Sequence, residues 1–417
     1  MTDSTSKKNS MVSNKKRILI VTQYIYPETF KSTEMAFELS KRGYDVDVLT
    51  GIPNYPEGHY YKGYGLFNKR IEIVKSVTFY RCLQTPRKLL PGFLGISLNF
   101  LTFAINATLW VFCFFVWKKR YYAVIAHEPS PITQVVPACI LGRLSNIPVF
   151  TWVQDIWPDS VTSTVGEKGK KIEPILQSIT DWIYKNSTKI LITSKGMIDL
   201  VNRTRDYSDK IEFFPQWSEE MLIAQNRHEE HCGIFNIMMA GSLNDGIGVP
   251  TLMSLCFEMK DDPVHFTFVG SGAEEQNMRE YVKVHNLEKI TFTGRKPFSE
   301  MPTYYAQADA MLLTLKETNM PHLKATIPAR LQGYMSAGKP ILAMIDGSAA
   351  DVIIEADCGY AVSAGDYIGL ANYIRNTVLC NKTAFTKKGD NARRYYLENY
   401  TKEMCIDNLI KIIERNE

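Results

Sequence analysis

Residues 326–343, TIPARLQGYMSAGKPILA, combine the features of a phosphate-binding segment. Pro328 can begin a helix, because a proline in the first turn lacks an N–H group that would have no partner there. Arg330 follows inside that turn, and Ala337 and Gly338 end the helix before an apolar strand. Backbone N–H groups and the helix dipole attract anions at such a terminus, and a guanidinium adds a bidentate contact. The stretch predicts a phosphate site; the alternative is one more helix packed on a sheet.

Three glycine-containing loops follow successive apolar runs in the second half of the chain. In chain order they contain Gly241 and Ser242, then Gly270, Ser271 and Gly272, and then Gly294 and Arg295. Glycines after strands let a nucleotide approach the backbone closely. Each loop alone is a weak signal, but three in succession together with Arg330 predict a nucleotide site.

Two polar residues of the first half also follow runs that read as strands. His127 comes directly after the run 122–126 and precedes a Pro-x-Pro turn, so its ring is expected to project into a binding cleft. The alternative is a histidine that caps the next helix. Asp155 follows the run 148–153, where its carboxylate can accept a hydrogen bond from a hydroxyl. Trp157, two residues further on, is suited to stack on a sugar or a lipid.

The loops after the first two strands carry aromatic and polar side chains. Tyr24 and Lys31 follow the run 17–21, and Asn54 and Tyr55 lie in the long second loop, which is rich in turn residues. Loops held by a rigid scaffold often carry binding residues. We therefore assign these four residues, together with Trp157, to substrate recognition.

Strand-like apolar runs alternate with helical patterns along the whole chain. They are 17–21, 45–49, 122–126, 148–153, 189–193 and a weaker 77–81 in the first half, and 236–240, 265–269, 290–293, 310–315, 340–344 and 360–362 in the second half. Such alternation is typical of parallel sheets covered by helices on both faces. The sequence therefore predicts an α/β protein of two Rossmann-like domains whose parallel sheets face each other across a cleft, with ligands at the carboxyl ends of the strands.

The length of 417 residues exceeds what one core usually supports, so two domains are expected. The polar first segment lacks the apolar core of a signal peptide and is expected to be disordered. The predicted segments are a basic tail at 1–16, an N-terminal domain at 17–215, a C-terminal domain at 216–400 and a terminal helix at 401–417.

The apolar run 89–117 contains no charged residue and is flanked by basic residues on both sides. It is long enough to cross a bilayer. However, Pro91, Gly92 and Gly95 interrupt its beginning, and a crossing would separate strands that must share one sheet. We therefore predict a helix half sunk in the membrane surface, where basic flanks suit anionic headgroups. A wholly buried helix is the next alternative, and a true span is the last.

The charge and cysteine content exclude several classes of protein. A net charge of +4 is too mild to indicate a nucleic-acid partner. The eight cysteines form no CxxC pair, so neither a metal site nor a disulfide framework is predicted.

The motifs together resemble those of the family 4 glycosyltransferases. The resemblance is carried by ILIVTQYIYPE, ELSKRGYDVDVLTGIPNYPEG, VQDIWPDS and IPARLQGYMSAGKPILA, and is nearest to the subgroup that builds bacterial capsule and O-antigen repeats, including N-acetyl-L-fucosamine transferases. It implies a GT-B fold and transfer of a sugar, expected to be N-acetylated, from a UDP-sugar with retention and without a metal or other cofactor. The implied acceptor is a polyprenyl-diphosphate-linked saccharide at the cytoplasmic face of the inner membrane, and the terminal helix would return to the first domain.

The resemblance also assigns roles by position. His127 matches the histidine near the donor sugar, and Asp155 and Arg330 complete the predicted catalytic set. The predicted donor-binding residues are Gly241, Ser242, Gly270, Ser271, Gly272, Arg295, Lys324, Thr326, Pro328 and Arg330. The predicted acceptor-side residues are Tyr24, Lys31, Asn54, Tyr55 and Trp157.

The chain departs from the family pattern at several positions. Ala325 and Gly333 stand where the broader family carries two glutamates, and Ser242 and Ile247 stand where it carries an arginine and a lysine. Arg330 and Lys324 are expected to supply the missing positive charge. Two rival functions remain open: a nucleotide-sugar epimerase of the same fold, and a catalytically dead saccharide-binding subunit. The apolar run and the missing glutamates disfavour the epimerase.

Overall fold

The computed structural model describes residues 15–118, 120–218 and 233–416. The predicted basic tail therefore lies almost entirely outside the described residues, as does the polar stretch that follows residue 218. Contacts divide the chain into two compact units. The first takes in the described residues up to Pro158 together with Lys170–Ile190, and the second takes in Asp159–Gly169 and the described residues of Leu191–Arg415. The domain boundaries proposed from the sequence, and the return of the terminal helix, stay predictions.

An eight-stranded sheet contains the strands of the first half, in the order β3-β4-β2-β1-β5-β6-β7-β8. The strands are β1 (Arg17–Val21), β2 (Asp45–Gly51), β3 (Ile71–Val74), β4 (Val77–Cys82), β5 (Ala123–Glu128), β6 (Val149–Val153), β7 (Lys189–Ile192) and β8 (Ile211–Phe213). The pairs β1–β2, β1–β5, β2–β4 and β5–β6 are parallel, and β3–β4 is antiparallel. Four of the five residues of β1 are buried, which explains the continuous apolar run.

A six-stranded sheet lies in the second unit, in the order β11-β10-β9-β12-β13-β14. Its strands are β9 (Phe235–Ala240), β10 (Val264–Val269), β11 (Ile290–Gly294), β12 (Ala310–Thr314), β13 (Ile341–Met344) and β14 (Gly359–Val362). Alternate residues of β9 pack into different hydrophobic cores. Ile237 and Met239 belong to one core, and Met238 and Ala240 belong to the other. Both faces of the sheet are therefore covered, as predicted.

Helices connect the strands in both units. They are α1 (Lys31–Lys41), α2 (Gly92–Trp110), α3 (Val116–Lys118), α4 (Val136–Ser145), α5 (Asp159–Val165), α6 (Glu167–Asn186), α7 (Ile198–Val201), α8 (Val249–Glu258), α9 (Glu275–Val284), α10 (Met301–Ala306), α11 (Pro321–Ala325), α12 (Ala329–Ser336), α13 (Ser348–Glu355), α14 (Tyr367–Tyr373), α15 (Lys382–Thr386), α16 (Lys388–Asn399) and α17 (Lys402–Glu414). Strand–helix alternation of this kind confirms the predicted α/β class with parallel sheets.

The strand β5 runs two residues further than predicted. His127 and Glu128 pair in parallel with Trp152 and Val153 of β6, and the Gln154 N–H donates to the Glu128 carbonyl at 3.1 Å. The prediction that His127 follows the strand is therefore wrong. It is the penultimate residue of the strand, because parallel pairing continues through the polar residues.

The apolar run forms α2 and a π-helical turn, Val111–Phe115, that continues it. Residues at every fourth position of this segment are buried: Gly95, Asn99, Phe103, Ala107, Val111 and Phe115. The remaining positions leave large apolar side chains exposed, among them Phe93, Leu94, Leu101, Ile105, Leu109 and Phe112. By length and composition this is one helix that could cross a membrane. One face packs on the first unit, and the rest of the helix is an exposed apolar surface.

Candidate functional site

A pocket of about 430 Å³ opens at the carboxyl ends of β9, β10 and β11 in the second unit. This glycine-loop pocket is lined by Ala240, Gly241, Ser242, Val269, Gly270, Ser271, Arg295, Lys296, Phe298, Met301 and Tyr305. Its position is where ligands bind in open α/β sheets, and its volume is that of a small-molecule site. The structure thus brings together five residues that the sequence assigned to the donor.

The backbone of two neighbouring loops forms one wall of the glycine-loop pocket. Gly270 has a φ of +149°, and a Cβ there would collide with the carbonyl group of Gly241. The Gly241 N–H donates to the Val269 carbonyl at 2.9 Å, and the Gly270 N–H donates to the Gly294 carbonyl at 3.0 Å. Only glycine allows this approach, so the wall offers backbone rather than side chains to a ligand.

Arg330 lies in the first turn of α12 and reaches the first glycine loop. Its Nη2 donates to the Ser242 carbonyl at 3.4 Å, and its Nη1 is buried without a hydrogen-bond partner among the described residues. An unpaired buried donor typically costs about 1–3 kcal/mol, more when charged. A guanidinium held beside a pocket with a spare donor is suited to bind an anion.

Tyr334 fixes α12 against the end of β9. Its hydroxyl accepts from the Ala240 N–H at 3.0 Å and lies 3.0 Å from the Ala240 carbonyl, to which it donates. The Tyr334 ring meets Tyr305 edge to face, with centroids 6.0 Å apart. Tyr334 is fully buried, so this contact sets the position from which Arg330 extends.

Other predicted donor residues lie apart from the lining of the glycine-loop pocket. Lys324 Nζ is 3.6 Å from Asp346 Oδ2, and this lysine lines a separate pocket of about 450 Å³. The Thr326 hydroxyl donates to the His322 carbonyl at 2.9 Å. Pro328 precedes α12 as its cap residue and Gly272 lies beyond the lining residues. Their assignments to the donor stay predictions.

Lys296 and Tyr305 line the pocket but were missed by sequence reasoning. Lys296 follows Arg295 directly, so the sequence could have predicted a second cation after β11. Tyr305 comes from α10, and nothing in its spacing indicates that it faces a neighbouring strand end.

In the first unit, His127 is fully buried within β5. Its Nδ1 lies 3.4 Å from the Thr22 hydroxyl, and its ring is 4.8 Å from that of Trp152. Burial lowers the pKa of His127 to about 3, against a smaller opposing effect from Gln154. The imidazole is therefore neutral at physiological pH.

Glu128, the last residue of β5, is a buried carboxyl that sequence reasoning missed. Burial raises its pKa well above its usual range, and the Asp155 carboxylate raises it further. Burial also raises the pKa of Asp155 to about 6, partly offset by a hydrogen bond from Ser130. Backbone N–H groups of residues 154 and 155 lie near Glu128, but neither of its oxygens has a hydrogen-bond partner with good geometry among the described residues. The protonated form of Glu128 is therefore favoured.

Several buried polar atoms lack a partner at the ends of β5 and β6. Within the described chain they are His127 Nε2, both oxygens of Glu128, Gln154 Nε2 and Trp157 Nε1. We call these four side chains, with Asp155, the strand-end polar cluster. Buried polar groups are normally satisfied, so a group of orphaned atoms at carboxyl strand ends is typical of a site that a polar ligand completes.

The remaining acceptor-side residues are divided. Tyr24 is buried, donates to Asn99 Oδ1 at 2.7 Å, and has its ring 5.5 Å from that of Tyr55. Asn54 is buried, and its backbone N–H donates to Glu28 at 2.7 Å. Lys31 lies elsewhere on α1, where it forms an ion pair with Glu34. Tyr55 is 39% exposed, so part of its side chain is accessible to a ligand.

Comparison with known proteins gives a family match and one curated relative. Residues 235–396 match the family model described as glycosyl transferases group 1. The colanic acid biosynthesis glycosyl transferase WcaI of Escherichia coli strain K12 is 21% identical over 329 residues, which are 73% of this chain and 76% of that protein. The matched region runs from β9 into α16 and so contains the glycine-loop pocket and Arg330.

The fold is similar to those of solved structures. Sucrose-phosphate synthase from Thermosynechococcus elongatus superimposes with a TM-score of 0.69 at 15% identity, covering 96% of this chain and 99% of that one. The Anabaena protein HepE in complex with UDP and glucose gives a TM-score of 0.64 at 12% identity, covering 95% and 99%. These likenesses show that the two parallel-sheet domains form a GT-B fold.

Proposed function

We propose that this chain, a hexosyltransferase-type glycosyltransferase with the GT-B fold, moves a sugar from a UDP-sugar to a polyprenyl-diphosphate-linked saccharide. The setting proposed is bacterial surface polysaccharide synthesis, and the donor sugar is N-acetylated. The observation that carries the proposal is the glycine-loop pocket, with Arg330 reaching the Ser242 carbonyl beside it.

The donor chemistry follows from the charges around the glycine-loop pocket. The glycine loops let the nucleotide lie against the backbone, while Arg295 and Lys296 add positive charge on one side. As the glycosidic bond breaks, negative charge develops on the diphosphate. Arg330 and the N–H groups at the start of α12 stabilise that charge where it appears. In this proposal the cationic side chains of the protein stabilise the developing charge, without a metal ion.

The acceptor binds through the first unit in this proposal. The strand-end polar cluster supplies the protonated carboxyl of Glu128 and the carboxyl of Asp155 to hydroxyl or amide groups of the saccharide, while the neutral imidazole of His127 orients the donor sugar by hydrogen bonding. A donor phosphate oxygen takes the proton of the attacking hydroxyl, so no strong protein base is needed, and the configuration of the sugar is retained.

The exposed apolar surface of α2 supports a location of the enzyme on a membrane. Because its opposite face packs on the first unit, the helix lies along the bilayer surface rather than crossing it in this proposal. The proposed location is the cytoplasmic face of the inner membrane, where UDP-sugars and the lipid-linked acceptor meet.

The test is transfer of radiolabelled sugar from UDP-sugars by the wild type and by Arg330→Ala. Loss of a donor that stabilises transition-state charge should lower kcat about 100-fold or more. Arg330→Lys should retain part of the activity, since it keeps the charge but loses the bidentate geometry. Arg394→Ala, on the exposed face of α16, is the matched control and should turn over normally.

The same assay separates the rival functions. Wild-type turnover by Arg330→Ala would contradict the phosphate assignment. Conversion of the UDP-sugar to its epimer without transfer would instead establish an epimerase. Absence of both transfer and donor hydrolysis across a panel of UDP-sugars would leave a saccharide-binding subunit.

A further inference from the structure

The loop before α2 and the first turn of that helix enclose a second pocket in the first unit, of about 570 Å³. Its lining includes three basic side chains and a set of apolar ones, namely His59, Arg87 and Lys88, and Leu89, Leu90 and Ile96. It is separate from the strand-end polar cluster, and neither the sequence motifs nor the comparisons assign it a ligand. We call it the α2 pocket.

Arg87 is flanked by aromatic rings and forms no ion pair with a carboxylate of the described residues. Its guanidinium lies 5.2 Å from the centre of the Tyr55 ring and 5.8 Å from that of Phe100, and its Nη1 is 3.4 Å from the Tyr24 hydroxyl. A cation fixed by aromatic rings is pre-organised for an anion, because little side-chain freedom remains to be lost on binding.

Lys88 is a second cation at the same place. Its backbone N–H donates to the Gly58 carbonyl at 2.9 Å, and its side chain packs over Gly58, whose φ is +82°. In the described chain Lys88 also forms no ion pair with a carboxylate. Two adjacent unpaired cations in one recess attract a multiply charged anion.

The apolar side of the α2 pocket continues into the exposed surface of α2. Leu89 and Leu90 are 56% and 37% exposed, and Phe93 and Leu94 follow at 48% and 63%. A ligand that satisfies both sides must carry phosphate at one end and hydrocarbon at the other. A headgroup lying on a flat bilayer would need no recess.

We propose that the α2 pocket binds the diphosphate of the lipid carrier that bears the acceptor saccharide, with the carrier's hydrocarbon lying along α2. This inference rests on the proposed function, whose acceptor is lipid-linked. The Arg87 guanidinium makes a bidentate contact with the phosphate oxygens, and the Lys88 ammonium adds a second positive charge. Arg87 also contacts Tyr24 and Tyr55, both assigned to the acceptor from the sequence, so the carrier's phosphate would adjoin the saccharide subsite.

The experiment measures binding of the full chain to vesicles. One set is neutral phosphatidylcholine containing undecaprenyl diphosphate, and the other is phosphatidylcholine with phosphatidylglycerol at equal surface charge. The variant Arg87→Gln/Lys88→Gln should lose about tenfold in affinity for the first set, the loss expected for removed charge-assisted hydrogen bonds. Its affinity for the second set should fall much less. Lys62→Gln/Lys75→Gln removes the same charge from exposed positions of the first unit and is the control.

Each outcome of the vesicle experiment either supports or overturns the proposal. Equal losses for both vesicle sets would mean that the α2 pocket senses anionic phospholipid only, and would overturn the proposal. Lys88→Gln alone, at an exposed side chain, keeps the test decisive if the double variant unfolds. The binding assay contains no UDP-sugar. A failure to detect sugar transfer would therefore contradict the proposed function, but the binding result could still be interpreted. Where transfer is observed, the variant should raise KM for the lipid-linked acceptor and leave KM for the UDP-sugar unchanged.

Discussion

Replacing Asp155 by asparagine tests the strand-end polar cluster through the pH dependence of stability. Burial raises the pKa of Asp155 from 3.8 to about 6 in the folded chain. A carboxyl with a raised pKa binds its proton more tightly when folded, so the free energy of unfolding is highest at low pH and falls as pH rises through this interval. The full shift corresponds to about 3 kcal/mol.

The measurable part of that change lies between pH 4 and pH 8. Titration from 3.8 when unfolded to about 6 when folded predicts a fall of about 2 kcal/mol in the free energy of unfolding over this range. Asp155→Asn should lack this fall. It should also flatten the slope further, since removing the Asp155 charge lowers the pKa of Glu128.

Urea unfolding of the wild type and the variant at each pH is the assay. The control is Glu57→Gln, which removes an exposed carboxyl of the first unit and should leave the wild-type slope intact. The reasoning is refuted if Asp155→Asn and the wild type lose the same free energy between pH 4 and pH 8. That result would mean that Asp155 is solvated and titrates as it does in the unfolded chain.

Two further predictions concern the glycine loops and the membrane. Gly270→Ala should weaken UDP binding by at least about tenfold in calorimetric titration, because the added Cβ has no room and alanine is strained at the φ of this position. The control is Gly65→Ala, whose added Cβ meets open space, and this variant should bind UDP normally. Leu101→Glu/Leu109→Glu should move the protein from the membrane pellet to the supernatant, whereas the wild type should need detergent. Leu144→Glu, equally exposed outside α2, should leave the wild-type distribution, and release of the wild type by salt alone would contradict the surface-helix proposal.

The sheets could be predicted because buried parallel strands are continuous apolar runs. Arg17–Val21 was predicted with the bounds that the structure gives. β3 was missed because it is an edge strand whose isoleucines, Ile71 and Ile73, are 61% and 71% exposed. β3 is connected to β4 by a turn at Lys75 and Ser76. Both residues have a positive φ although neither is glycine, so no turn motif in the sequence predicts this turn.

The candidate site was predictable where glycine marks the ends of strands. Gly241 and Gly270 follow apolar runs directly, Arg295 follows one after Gly294, and all three line one pocket. Glu128 was missed because its burial depends on the neighbouring strand, which the local sequence does not reveal. Lys324 was expected to supply positive charge to the donor, which stays a prediction, and the turn that brings Asp346 beside it is a tertiary feature that the local sequence does not reveal.

The two hydrogen bonds between Tyr334 and Ala240 couple the end of β9 to α12. In the proposed function the nucleotide lies against the first glycine loop, so a shift of that loop would move the end of β9 and, through the Tyr334 hydroxyl, α12. The guanidinium in the first turn of α12 must travel with it. Under the proposed function, binding of the base and binding of the phosphates would therefore be coupled through Tyr334.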